Sequence, residues 1–292
     1  MKINYISQNN THFAPKIQRN DSVNNKISFR SLGYSPDYYT DKYGFQRSIQ
    51  HTTGIRNKEL DHDRLAKLIK KRFKNFDKVN IMPMCVSDGT EAYCIANFLI
   101  KQEGYEKFQK KYTPIIATDI SSEIINNYGK QGLILLDDNE RYIFDNVDKT
   151  ILKEVNKDDY KIFITSQFSQ PEHLYKIASK YSENFEFKVQ DFNKRIDEIE
   201  DKGNSVIILR NTLYQSYGDG YESQILISDL ANKMKGASLL VVGGYDMAHM
   251  PNLKKTLGDY FVELQPNVWG LKDYKNITSI FKRMFNKLVN NK

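Results

Sequence analysis

The sequence predicts an α/β domain built on a doubly wound, mostly parallel sheet. From about residue 76 onward, apolar runs of strand length alternate with amphipathic runs of helix length. That alternation is the pattern of parallel βαβ units joined by right-handed crossovers. Two of the strand runs, "SVIILRN" and "SLLVVGGYD", are nearly continuous in apolar residues, as strands covered on both faces must be. The last such runs, "DYFVELQ" and "NVWGLKD", read as a closing antiparallel pair. A sheet of this kind takes its ligand beyond the carboxyl ends of its strands, near the switch in strand order.

Residues 1–30 are rich in Asn, Ser and Gln without a sustained period, and read as a disordered basic tail. Residues 31–75 read as a reduced lead-in: an aromatic stretch with Gly and Pro punctuation, then a helix from about 61 to about 75. Asp61 is its expected N-cap, with Leu65, Leu68, Ile69 and Phe73 inward and lysines outward. The main domain is expected over 76–292. Its first strand is "KVNIMPM". The helix "TEAYCIANFLIKQ" follows, with Ala92, Ile95, Ala96 and Leu99 at i, i+3, i+4, i+7. Next come the strand "YTPIIATDI" and the helix "SSEIINNYGKQG". "TILKEV" (150–155) and "QPEHLYKIASKYS" (170–182) read as helical. "FEFKVQDF" and "SVIILRN" are strands, "YESQILISDLANKMKG" a helix, and "SLLVVGGYD" the last strand before the closing pair.

Composition narrows the function. With 40% hydrophobic residues in a chain of 292, a substantial core can form. The longest apolar runs, such as "SLLVV", are far too short to span a bilayer. The start, "MKINYISQNN", has no apolar segment of a secretory signal. Two cysteines, Cys85 and Cys94, argue against a disulfide framework and for a reducing cytoplasm. The formal charge is +7, but residues 1–30 carry five basic residues against Asp21 alone, which leaves +3 for the rest. No nucleic-acid footprint is expected from so even a balance. The basic stretch "KLIKKRFKNFDK" (67–78) reads as a solvated helix face.

Position alone selects the candidate site residues. After the first strand come Ser87, Asp88, Gly89, Thr90 and Glu91; after the second, Asp119; then Asp191 and Phe192; then Arg210 and Asn211. Asp119, at the tip of the second strand, is placed either to accept both hydroxyls of a ribose or to cap the next helix, a task Ser121 could also perform. A pyrophosphate needs several backbone N–H groups at close approach, hence several glycines. One glycine flanked by Asp88 and Glu91 would repel it. The loop suits a ligand with an amine and a sulfonium. S-adenosylmethionine (SAM) has both, plus a ribose, so the loop favours SAM over NAD or ATP.

These residues resemble the CheR-type methyltransferases, which transfer methyl from SAM to glutamate side chains of bacterial chemoreceptors. "TTGIR" (52–56) is similar to the family's T-x-F-F-R, with Thr52 and Arg56 matching. "CVSDGTEAYCIA" (85–96) resembles C-S-T-G-E-E-P-Y-S-x-A, with Gly89, Glu91 and Tyr93 matching. Thr90 stands where the family has its first acid, and one residue is inserted before the glycine. "ATDIS" (117–121) matches the A-T-D-I strand end. "VQDFN" (189–193) is similar to the N-L-L segment beside the adenine. "IILRNTLYQSY" (207–217) resembles I-x-C-R-N-V-x-I-Y-F, with Arg210 and Asn211 matching, while Gln215 falls on the family's Tyr and Tyr214 lies one place early. "SLLVVGGYD" is close to the late L-x-L-G-x-S-E strand.

The resemblance implies a Rossmann-like SAM-methyltransferase sheet with helices on both faces. It implies a cytoplasmic enzyme that forms methyl esters on a chemoreceptor-like protein partner, through the acceptor's carboxylate. Thr52, Arg56, Gly89, Glu91, Asp119, Asp191, Phe192, Arg210 and Asn211 become the expected cofactor residues. Glu91 would hold the methionyl amine, Arg56 its carboxylate, Asp119 the ribose, and Asp191 and Phe192 the adenine. Arg56 or Tyr214 would orient the acceptor. Blander readings stand beside these. Arg210 could pair with an acid such as Asp246, Tyr93 could be core, and both cysteines could be small buried hydrophobes. "DHD" (61–63) fits helix capping better than a metal site, and no metal is expected. The same fold acting on a small molecule or another side chain, or serving as a non-catalytic SAM-binding module, remains a separate reading.

Overall fold

A computed structural model describes residues 38–40, 46–48, 60–160, 173–199, 203–217 and 221–272, all within the unit Asp37–Lys292. The expected tail at 1–30, Thr52 and Arg56 lie outside the described residues.

A short antiparallel hairpin, β1 (Tyr38–Thr40) and β2 (Gln46–Ser48), comes first. The expected helix follows as α1 (His62–Arg72), with Asp61 accepting from the Arg64 N–H at 2.9 Å. Lys70, Lys71 and Arg72 occupy its last turn, where the helix dipole favours cations. β3 (Asn80–Pro83) leads into α2 (Thr90–Glu103). Gly104, at φ 80°, ends α2 and starts α3 (Tyr105–Tyr112), a helix not read in the sequence. β4 (Ile115–Asp119), α4 (Ser122–Asn127), β5 (Leu133–Leu136), α5 (Asp138–Asp145), β6 (Leu152–Glu154), β7 (His173–Ile177), α6 (Ser179–Ser182) and β8 (Phe185–Val189) come next. The chain continues through α7 (Phe192–Asp197), β9 (Ser205–Leu209), α8 (Leu213–Tyr217), α9 (Tyr221–Lys233) and β10 (Leu239–Val242). α10 (Gly244–His249), α11 (Leu253–Tyr260), β11 (Phe261–Gln265) and β12 (Val268–Leu271) complete it.

The main sheet has the order β11-β12-β10-β9-β3. β3, β9 and β10 are parallel, while β12 runs antiparallel to both β10 and β11. β4 and β8 form a parallel pair, and a parallel bridge from Met84 to Thr118 sets β4 beside the end of β3. Strand order therefore changes direction between β3 and β9, which puts the ligand crevice beyond their carboxyl ends.

The near-continuous apolar runs are explained by burial on both sides. Val206, Ile208, Leu239 and Val241 lie in one core cluster with Leu65 and Ile69 of α1 and Tyr93 and Leu99 of α2. Their neighbours Ile207, Leu209, Leu240 and Val242 lie in another, with Phe192 of α7, Leu226 and Leu230 of α9 and Leu257 of α11. Among the described residues no helix is long and apolar enough to cross a membrane.

The region 133–182 departs from expectation. The segments read as helices at 150–155 and 170–182 instead hold β6 and β7, and among their described residues only α6 is helical. β7 lies between β5 and β6, antiparallel to both. Leu174, Tyr175, Ile177 and Ala178 have a spacing that fits a helix face as well as a strand, an ambiguity inherent in short apolar runs. The buried partner strand "LILL" of β5 decides it, because cross-strand packing outweighs local preference.

Candidate functional site

The loop after β3 is bent. Cys85, Ser87 and Gly89 have φ of 57°, 52° and 89°, and two of the three are not glycine. Such a backbone persists only where its surroundings hold it. Two buried carboxylates do so. Asp88 accepts from the Thr90 N–H at 3.0 Å and the Thr90 hydroxyl at 2.7 Å, and from the Leu135 N–H of β5 at 3.1 Å. Thr90 and the acid beside the glycine thus form one clamp joining the loop to the small sheet. Asp119 accepts from the Ser87 N–H at 2.9 Å. Gly89 is required twice over: by its φ, and because a Cβ there would lie 2.7 Å from the Phe187 ring.

Asp119 also accepts from the Ser121 N–H at 2.9 Å. The capping of α4 falls to Ser121, whose hydroxyl accepts from Ile124 at 3.2 Å. The capping task therefore falls to Ser121, and the Asp119 carboxylate stands at the end of β4.

Across the switch in strand order, Arg210 at the end of β9 pairs through Nη1 with Glu91 Oε1 at the start of α2. The acid it meets is Glu91 rather than Asp246. His62 Nε2 of α1 lies 3.6 Å from the same oxygen. Burial alone would raise the Glu91 pKa. The Arg210 guanidinium and the His62 ring outweigh it and hold the group below its ordinary value.

The loop after β9 is built in a similar way. Asn211 sits at φ 55°, and its Oδ1 accepts from the Tyr245 N–H at 3.2 Å. Gly243 packs so closely that a Cβ would overlap Asn211 Oδ1 and the Asn211 backbone nitrogen. The wholly buried Asp246 accepts from the N–H groups of Thr212 at 3.2 Å and Tyr214 at 3.0 Å. Burial pushes its carboxyl up to about 6, against the pull of those N–H groups. Tyr214 is 37% exposed. Its ring meets Tyr245 edge-on at 5.7 Å and His249 at 5.2 Å.

The remaining expectations are placed as follows. Asp191 caps α7, accepting from Asn193 N–H at 2.9 Å. Phe192 is buried, edge-on to Tyr217 at 5.8 Å. The Gln215 side chain lies outside the described residues. Tyr93 is core, its ring 4.4 Å from that of Phe185. Burial raises the thiols of Cys85 and Cys94 well above their ordinary range. Among the described residues no cluster of metal-ligating groups occurs. Asp61 is a cap and Asp63 pairs with Lys67.

Sequence reasoning missed His62 and the anchoring role of Asp246. His62 did carry a signal: with Leu65, Ala66 and Ile69 it completes an i, i+3, i+4, i+7 face, and all four are buried.

A scan against protein-family models matches residues 50–259 to the CheR methyltransferase SAM-binding domain. A search of curated proteins finds no match. The site's chemistry suits SAM. Two carboxylates border the crevice, Glu91 in the first turn of α2 and Asp119 at the end of β4, and a ligand with a cationic amine and a diol has use for such acceptors. Ser87 Oγ and His62 Nε2, next to them, are buried without a hydrogen-bond partner. A match running from the residues before α1 to α11, over the loops that build this crevice, makes the chain a member of the CheR methyltransferases, with SAM as its cofactor.

Proposed function

We propose that the protein methylates a glutamate carboxylate of a protein partner, forming a methyl ester. The observation that carries this reading is the Glu91–Arg210 pair across the switch between β3 and β9, with Asp119 held at the adjacent end of β4 by the Ser87 N–H. Glu91 holds the methionyl ammonium and Asp119 the ribose hydroxyls. Arg56 and Thr52 complete the methionyl end, as the family pattern implies. Asp191 and Phe192 border the adenine, Arg210 and Asn211 set the floor, and Tyr214 faces the acceptor. When bound, SAM supplies an electrophilic methyl on a sulfonium. A glutamate carboxylate is ionised at pH 7, so these residues have no proton to move. Their contribution is to orient the acceptor and exclude water. A partner presenting glutamates on an exposed helix, as chemoreceptors do, fits the family.

The test is incubation of the protein with methyl-labelled SAM and a lysate, with the labelled products scored for stability in mild alkali. Release of the label as methanol is expected. Label that survives alkali would overturn the ester. A companion titration should find SAM binding by the wild type, and at least tenfold weaker binding by Asp119→Ala.

One observation favours a second reading, methylation of an acceptor that must first lose a proton. His249 Nδ1 lies 2.8 Å from the Tyr245 carbonyl oxygen, which can only accept, so Nδ1 carries the hydrogen. In the neutral ring Nε2 is then a proton acceptor, on an imidazole stacked on Tyr245 at 3.9 Å and beside Tyr214. Alkali-stable label would favour this reading.

A further inference from the structure

We infer that His62 is a positioning residue for the cofactor's amino-acid end, acting through Glu91. The inference rests on the assignment of Glu91 to the methionyl ammonium. His62 is 4% exposed, on the face of α1 that carries Leu65, Ala66 and Ile69 into the core, so core packing sets its backbone. Its ring stacks on Phe98 of α2 at 6.1 Å, with an interplanar angle of 20°. Phe98 lies two helical turns beyond Glu91, on the same face of α2. The stack therefore points the imidazole along α2 toward the carboxylate.

Both neighbours of that carboxylate stand nearest the same atom. Arg210 reaches Oε1 from the end of β9, and His62 Nε2 stands 3.6 Å from Oε1 from the side of α1. With Oε1 held between two elements, Oε2 is the oxygen that would receive a ligand. The three side chains differ in access: those of His62 and Arg210 are 2% and 3% exposed, that of Glu91 19%. Glu91 is thus the member that meets an incoming ammonium, and the other two stand behind it.

The alternative is a core histidine with no task. Its Nε2 is buried without a hydrogen-bond partner, and such a group costs stability. A leucine would finish the same apolar face without that cost. The reach to Glu91 is what the imidazole adds.

The experiment compares two ligands on wild type, His62→Phe, His62→Gln and Glu91→Gln by isothermal titration calorimetry. SAM carries the amino-acid end, whereas 5′-methylthioadenosine has the same adenosine without it. His62→Phe keeps a ring against Phe98 and removes the nitrogen; His62→Leu replaces it should that variant not fold. His62→Phe is expected to weaken SAM about tenfold and to leave 5′-methylthioadenosine within about twofold of wild type. His62→Gln, which restores a donor, should recover most of the loss. In turnover, KM for SAM rises while kcat holds. SAM binding by His62→Phe equal to wild type, when Glu91→Gln is weakened, overturns this inference alone. Equal loss of both ligands also overturns it, since that marks a structural role. SAM binding unweakened by Glu91→Gln overturns the Glu91 assignment and this inference together.

Discussion

Two loops close the crevice, one after β3 and one after β9, and they reach the same end by different means. Each bends through positive φ at a residue other than glycine, and each is tied down by a carboxylate that accepts two backbone N–H groups. For the first loop Asp119, 8% exposed and next to the crevice, shares that task with the buried Asp88; for the second it falls to Asp246, wholly buried. Glu91 of the first loop has a cationic partner in Arg210. Asp246 is held by N–H groups, and burial raises its pKa. The first loop therefore leads to a charged, partly exposed side chain, Glu91. The second is a dry anchor that behaves like core.

The widest separation should come from the glycines. Gly243→Ala forces a Cβ into the backbone nitrogen of Asn211, which cannot yield without moving the loop after β9, and should cost about 4 kcal/mol. Gly89→Ala pays for its φ of 89° and displaces a ring, and should cost about 2 kcal/mol. Urea midpoints measure both, and equal losses would break the distinction. Next, Asp246→Ala should destabilise more than Asp119→Ala, by about 1 kcal/mol, because water can satisfy the N–H groups freed at the more accessible site. Only Asp119→Ala should reduce SAM affinity at temperatures where both variants are folded.

An effect of similar size is in pH. The folded pKa of Asp246, about 6, stands above its ordinary value of 3.8. Between those values the folded chain holds a proton that the unfolded chain lacks, so this group makes the fold more stable as pH falls through 6. Glu91, with its pKa lowered, acts in the opposite sense: its contribution is present above the ordinary carboxylate range and is lost below it. Relative to Asp246→Asn, the wild type should gain about 1 kcal/mol between pH 7.5 and pH 5. A flat difference across that range would show that Asp246 is not the dry anchor described.

The main sheet was legible because its strands are covered on two sides, and such strands leave long apolar runs such as Val206–Leu209. The strand ends that border the crevice were legible for a related reason: they fall at fixed points, so Glu91, Asp119 and Arg210 could be named as candidates from position. What position cannot supply is pairing. Whether Arg210 meets Asp246 or Glu91 depends on how far apart β3, β9 and β10 carry their loops, a tertiary fact. The small antiparallel sheet was misread because β7 draws its identity from β5, some forty residues earlier. His62 was overlooked beside two acids that read more simply as capping, although its spacing with Leu65 and Ile69 put it inside.

Phe187 of β8 touches both glycines that flank its ring. A Cβ at Gly129 would meet that ring at 2.5 Å, and one at Gly89 at 2.7 Å. The three positions are therefore epistatic. A smaller side chain at 187 opens 129 to alanine and turns a harmful change into a tolerated one, whereas 89 stays closed because its backbone still asks for glycine. Drift in this protein should thus reach 129 only by way of 187, and a mutational library that samples one position at a time will score as forbidden a pair that is permitted.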